Sequence, residues 1–124
     1  NDMWPVGYDG KPVVSSKKSY YPPMSFWEDN QPLTSIETLE DQAQLTTQIT
    51  ERAVDFINRN KNNPFFLYVP HPMPHQPIAV SSKFKGKSEL GLYGDVSMEI
   101  DWSVGQILKS LKNHKIDNNQ MADP

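Results

Sequence analysis

Two stretches of the chain carry apolar residues at helical spacing, and a short continuous apolar run lies between them. Leu45, Ile49, Ala53, Phe56 and Ile57 recur every three or four positions and predict a helix over 34–61. Thr34-Ser35-Ile36-Glu37 and Thr38-Leu39-Glu40-Asp41 both offer a Ser/Thr-x-x-acid start for it. Acids gather at its beginning and Arg59 and Lys61 at its end, as the helix dipole favours, and Asn62-Asn63-Pro64 stops it. Phe65-Phe66-Leu67-Tyr68-Val69 follows without alternation, which predicts a strand over 65–69 covered on both faces. A second helix is expected over 94–113, with Val96, Ile100, Val104, Ile107, Leu108 and Leu111 as its apolar stripe.

Proline punctuates the rest. Five of the 11 prolines fall between Pro5 and Pro32 and five between Pro64 and Pro77, leaving two Pro-free stretches for helices. Residues 1–33 show neither a period of 2 nor one of 3.6 and read as an irregular loop region; residues 70–92 form the long connection after the strand. Helix, buried strand, Pro-rich loop, helix is the order of an α/β layer fold. A single strand is not a sheet, so its neighbours are expected from a longer chain or a partner molecule. The start at Asn1 rather than Met points the same way, to an internal fragment.

Composition narrows the function classes. With 12 Lys+Arg against 15 Asp+Glu over 124 residues, the net charge is −3, and no dense basic run supplies the footprint that a phosphate backbone requires. Nucleic acid is excluded on this ground. No apolar stretch approaches the roughly 20 residues of a membrane span. The chain has no Cys, so it holds no thiolate metal site or Cys nucleophile.

The chemistry-bearing segment is Tyr68-Val69-Pro70-His71-Pro72-Met73-Pro74-His75-Gln76-Pro77, which leaves the C-terminal end of the expected strand, where ligands of open α/β sheets bind. Pro72 and Pro74 exclude a helical two-histidine metal motif. A stiff extended loop remains, on which His71 or His75 can donate to an anionic substrate or protonate a leaving group. The alternative is a structural loop whose histidines bond to backbone carbonyls. Lys83, Lys85 and Lys87 form an anion-accepting rim or a solvated loop. Glu99 and Asp101, two positions apart, do not share a helix face, so solvation or capping is expected for them. Met98 and Trp102 are expected to pack. Asp2, Trp4 and Tyr8 take no role from spacing alone.

The blocks Asn63-Pro64-Phe65-Phe66-Leu67-Tyr68-Val69-Pro70-His71-Pro72-Met73-Pro74-His75-Gln76-Pro77, Phe84-Lys85-Gly86-Lys87-Ser88 and Gly91-Leu92-Tyr93-Gly94-Asp95-Val96-Ser97-Met98-Glu99-Ile100-Asp101-Trp102-Ser103-Val104-Gly105 closely resemble the middle of the catalytic domain of arylsulfatase A-type sulfatases. Asn1-Asp2-Met3-Trp4-Pro5 also looks like a segment of that family, whereas Gln120-Met121-Ala122-Asp123-Pro124 departs from it. The resemblance implies an alkaline-phosphatase-like α/β fold of which residues 1–124 are a partial catalytic domain. It implies hydrolysis of sulfate esters by a formylglycine nucleophile beside a calcium ion. The nucleophile motif and the calcium ligands are not in this sequence. His75 matches the family histidine that hydrogen-bonds the sulfate ester and assists leaving-group departure; His71 is a weaker candidate for substrate contact. A small-molecule or glycan sulfate ester is the implied partner, and a periplasmic, lysosomal or secreted location the implied setting. A phosphate or phosphonate ester hydrolase of the same fold, or a non-catalytic binding module on this scaffold, are the rival readings.

Overall fold

The computed structural model describes residues 24–119. A hairpin of β1 (Ser25–Glu28) and β2 (Gln31–Ser35) leads into a short helix α1 (Leu39–Ala43), a longer α2 (Leu45–Asn60), an irregular connection, and the long α3 (Gly91–Asn113), closed by a 3-10 turn at Asp117–Asn119.

The hairpin corrects two expectations, the irregular region within 25–33 and the helix from residue 34; residues 1–23 of that expected region lie outside the described residues. β1 and β2 pair antiparallel, with Phe26 opposite Thr34 and Trp27 opposite Pro32, and the register shifts between Phe26 and Trp27. That irregularity breaks the period of 2, and it is also the kind of place where a strand tolerates proline. Asp29 turns the chain at φ 54, in the left-handed region that Asp tolerates better than most residues. All of β2 is exposed, so no alternation of polar and apolar residues marks it.

Of the two possible helix starts, the second is used. Thr38 caps α1: its hydroxyl accepts from the Asp41 amide, and the Asp41 carboxylate accepts from the Thr38 amide at 2.9 Å. The Thr38 hydroxyl bond, then the amides of Glu37 and Thr38, hold the Asp41 carboxyl below its ordinary value. Gln44 separates α1 from α2, so the single helix expected over 34–61 is two.

The stretch 65–69 is not a buried strand. No strand of the described residues pairs with it, and its exposure alternates: Phe65, Leu67 and Val69 are half-buried, while Phe66 is 87% and Tyr68 75% exposed. The run has one covered face, against α2, where Phe65 meets the Phe56 ring edge-on at 5.5 Å. A strand also needs a neighbour for its amides, and none lies alongside among the described residues.

The core unites the hairpin, the helices and the connection. Ile36, Leu45, Met73, Val80 and Val96 form one buried cluster, with Phe26, Ile78, Phe84 and Ile100 packed on it. Ile57 on α2 is fully buried, a burial worth about 1.5–3 kcal/mol. α3 begins at Gly91, three residues before its expected start, and Gly94 explains the local fit: a Cβ there would come 2.0 Å from Ser88 Oγ, so only glycine lets the preceding turn cross the helix. The neighbouring Asp95 is buried and accepts the amides of Gly86, Lys87 and Ser88 at 2.7–2.9 Å. The Ser88 and Gly86 bonds are the main reason its carboxyl lies below the ordinary range.

Candidate functional site

The loop 70–77 leaves the extended stretch and is pinned at three places before it reaches the next buried segment. Near its start, His71 Nε2 lies 3.1 Å from Ser103 Oγ on α3. In its middle, Met73 is buried in the core cluster. At its end, the Gln42 side chain of α1 donates to the Pro77 carbonyl. Between the last two anchors stands His75, exposed at the apex, with its amide donating to the Pro72 carbonyl at 3.2 Å.

The two histidines therefore differ in kind. His75 Nδ1 is 2.6 Å from the Gln76 carbonyl. A carbonyl only accepts, so Nδ1 carries the proton, and Nε2 is the nitrogen presented outward. In its cationic form this imidazole offers Nε2–H to an anion. The carbonyl bond is the arrangement expected of a structural loop histidine, and the same bond orients a ring for chemistry at its other nitrogen. His71 is half-buried and faces inward. Desolvation holds it below its ordinary 6.5, and the nearby Glu99 charge opposes that shift.

Glu99 is where the structure departs most from the sequence expectation. It is 1% exposed, neither solvated nor a cap; one carboxylate oxygen accepts the Ser81 amide at 3.1 Å and the other the Thr47 hydroxyl at 3.3 Å. Around it lie Thr50 and Ser103, both buried, with Oγ1 and Oγ 2.5 Å apart. Spacing held a usable signal for this cluster. Thr46 and Thr50 on α2, and Glu99 and Ser103 on α3, stand four apart on the inner helix faces, where apolar residues would ordinarily fall.

The other candidates separate. Lys83 places its ammonium 3.9 Å from the centre of the Trp102 ring, which in turn stacks at a tilt on Phe84, 5.7 Å away. Trp102 packs as expected; Met98 is exposed. Lys83, Lys85 and Lys87 are all exposed, and Asp101 points to solvent. Asp2, Trp4 and Tyr8 lie outside the described residues. A cleft of about 460 Å³ opens between the hairpin, α2 and the stretch 67–70, but neither histidine lines it. Among the described residues no three His, Asp or Glu side chains converge as metal ligands. No helix among them is long and apolar enough to cross a membrane.

Helices flanking an extended apolar segment, with a loop-borne imidazole beyond its end, define the class: a portion of a layered α/β domain with a candidate anion-handling histidine at one edge. The family model described as Sulfatase matches residues 8–121, and the chain belongs to the sulfatase family. It is 42% identical to human steryl-sulfatase over 77 residues, which are 62% of this chain and 13% of that protein. It is 43% identical to human N-acetylgalactosamine-6-sulfatase over 79 residues, 62% of this chain and 15% of the relative. The N-acetylgalactosamine-6-O-sulfatase of Bacteroides thetaiotaomicron is 39% identical over 71 residues, 57% and 14% of the two chains. Among solved structures, a chain described with the metabolism of multiple glycosaminoglycans by Bacteroides thetaiotaomicron superposes with a TM-score of 0.63 at 34% identity, over 70% of this chain and 18% of the other. The chain thus spans 13–15% of the length of these curated relatives. Its helices and small sheet are part of the family's α/β, alkaline-phosphatase-like fold.

Proposed function

We propose that this chain is an internal part of the catalytic domain of a sulfatase that hydrolyses a small-molecule or glycan sulfate ester, and that His75 is its contribution to the reaction. The observation that carries the reading is the apex position of His75, on a loop anchored on both sides, in a chain that the Sulfatase family model matches over residues 8–121. A sulfate monoester is a permanent anion. Binding it needs local donors, not a basic protein, and a net charge of −3 is compatible with that.

His75 acts through Nε2. As imidazolium it donates a hydrogen bond to the ester, and as the bond from sulfur to the bridging oxygen breaks it passes that proton to the departing oxygen, leaving Nδ1–H on the Gln76 carbonyl. The formylglycine nucleophile and the calcium ion belong to this reading as parts supplied by residues other than those described; no step of His75 runs through them. An extracytoplasmic setting, periplasmic, lysosomal or secreted, is part of the same proposal.

The test is the full-length protein assayed on an aryl sulfate and on the matching aryl phosphate, with wild type beside His75→Ala. Turnover of the sulfate that collapses in the variant supports the reading. Turnover of the phosphate alone favours the phosphohydrolase alternative, and no turnover with a correctly folded, modified protein favours a binding module. Residues 1–124 alone are expected to be inactive.

A further inference from the structure

The polar cluster between α2 and α3 can be read proton by proton. Thr50 Oγ1 lies 2.6 Å from the Thr46 carbonyl and 2.5 Å from Ser103 Oγ. The carbonyl has no proton, and two oxygens at 2.6 Å with none between them repel, so the single Thr50 proton goes to the carbonyl. Ser103 must then supply the proton of the 2.5 Å contact. Having spent it, Ser103 can only accept from His71, so His71 Nε2 carries hydrogen. The other ring nitrogen, Nδ1, is shut off from solvent and has no hydrogen-bond partner among the described residues, which suits a bare lone pair and not an N–H. The Glu99 carboxylate from α3 lies near this ring and opposes the loss of its charge. It is engaged with the Ser81 amide and the Thr47 hydroxyl.

We propose that His71 is a positioning residue for His75: its Nε2–H donates into a buried chain of hydroxyls, Ser103 to Thr50 to the Thr46 carbonyl, which fixes one tautomer of His71 and ties the base of the loop to both helices. This rests on the reading of His75 as the group that meets substrate. The physical reason is leverage. Only three residues lie between the two histidines, and Met73, the middle one, is locked in the core. A ring held by a donor of fixed direction sets where the loop starts, and a displacement of about 1 Å in a reacting group costs on the order of 100-fold in rate.

Two measurements on the full-length protein test this. With ¹⁵N-labelled histidine, wild-type His71 should be neutral at pH 7, protonated at Nε2 and bare at Nδ1; Ser103→Ala should abolish that preference. An Nδ1–H tautomer or an imidazolium in the wild type would overturn the proposal, and this readout needs no variant to fold. In steady-state kinetics, His71→Ala and Ser103→Ala should lower kcat on the order of 10- to 100-fold with KM nearly constant. His71→Gln, which keeps an N–H toward Ser103, should recover most of the loss. Wild-type kcat in His71→Ala, or a Gln variant no better than Ala in a folded protein, would also overturn it. Full activity in His75→Ala would instead sink the reading of His75, with the tautomer still decided by the nitrogen signals.

Discussion

The two sides of α3 reverse the usual arrangement of a surface helix. Its inner side, against α2 and the histidine loop, buries Glu99, Ser103 and Ser110 beside Val96 and Leu111. Its outer side leaves Val104 and Leu108 about half exposed, next to Gly105, where an added Cβ would meet open space. Burial of hydrogen-bonded polar groups contributes little net stability, about 0.5–1.5 kcal/mol each. What the inner side provides is direction: Glu99 and Ser103 each have partners at defined positions, and the loop bearing His75 is hung from them. The outer side has a mixed character, with Val104 and Leu108 exposed among Ser97, Asp101 and Lys112. In a full-length protein of which this chain is a small part, we expect Val104 and Leu108 to be covered by a further segment.

The contrast can be broken in order of size. His75→Ala should cost the full-length protein about 10²–10⁴-fold in kcat/KM on an aryl sulfate while leaving its thermal unfolding unchanged, because the exposed apex belongs to neither side of α3. Val104→Asp or Leu108→Asp should destabilise the full-length protein by about 3–5 kcal/mol in urea titrations, the cost of an unpaired charge under a covering layer. A cost within about 0.5 kcal/mol, as for a true surface, would refute the covered outer side. Ser103→Ala should cost about 1–3 kcal/mol by orphaning the His71 donor, more than the same truncation at exposed Ser97 on the outer side.

The smallest effect is with pH. A histidine held below its ordinary 6.5 binds fewer protons folded than unfolded, so stability should begin to fall as pH drops through about 6.5 toward the lower folded value. His71→Gln should flatten that part of the curve. Asp41 and Asp95, both held below 3.8, contribute stability that is present above that value and lost as pH falls through their folded values. Asp95→Asn should remove part of this lower limb.

The helices were legible because their apolar residues recur at 3.6, and the loop carrying His71 and His75 because four of the 11 prolines and two of the 3 histidines crowd into residues 70–77. The hairpin was hidden by its irregular register and by Pro32. The run 65–69 has one covered face among the described residues, because the neighbours that a two-sided strand needs are not among them. The polar cluster was hidden for a different reason. Its hydrogen bonds join positions 32 and 53 apart, and hydroxyls look alike in a sequence whether they face water or each other. Only Thr46, Thr50, Glu99 and Ser103 standing on the inner, otherwise apolar helix faces hinted at it.

The clasp of Asp95 on Gly86, Lys87 and Ser88 bears on how the molecule breathes. Gly86 and Lys87 are exposed loop residues, and their amide protons would ordinarily trade with solvent deuterium within seconds. Held by a carboxylate on the first turns of α3, and at Lys87 also by the Phe84 carbonyl, they exchange only when this clasp opens. Three amides outside any regular element thus report the opening of the clasp that ties the connection from the histidine loop to α3.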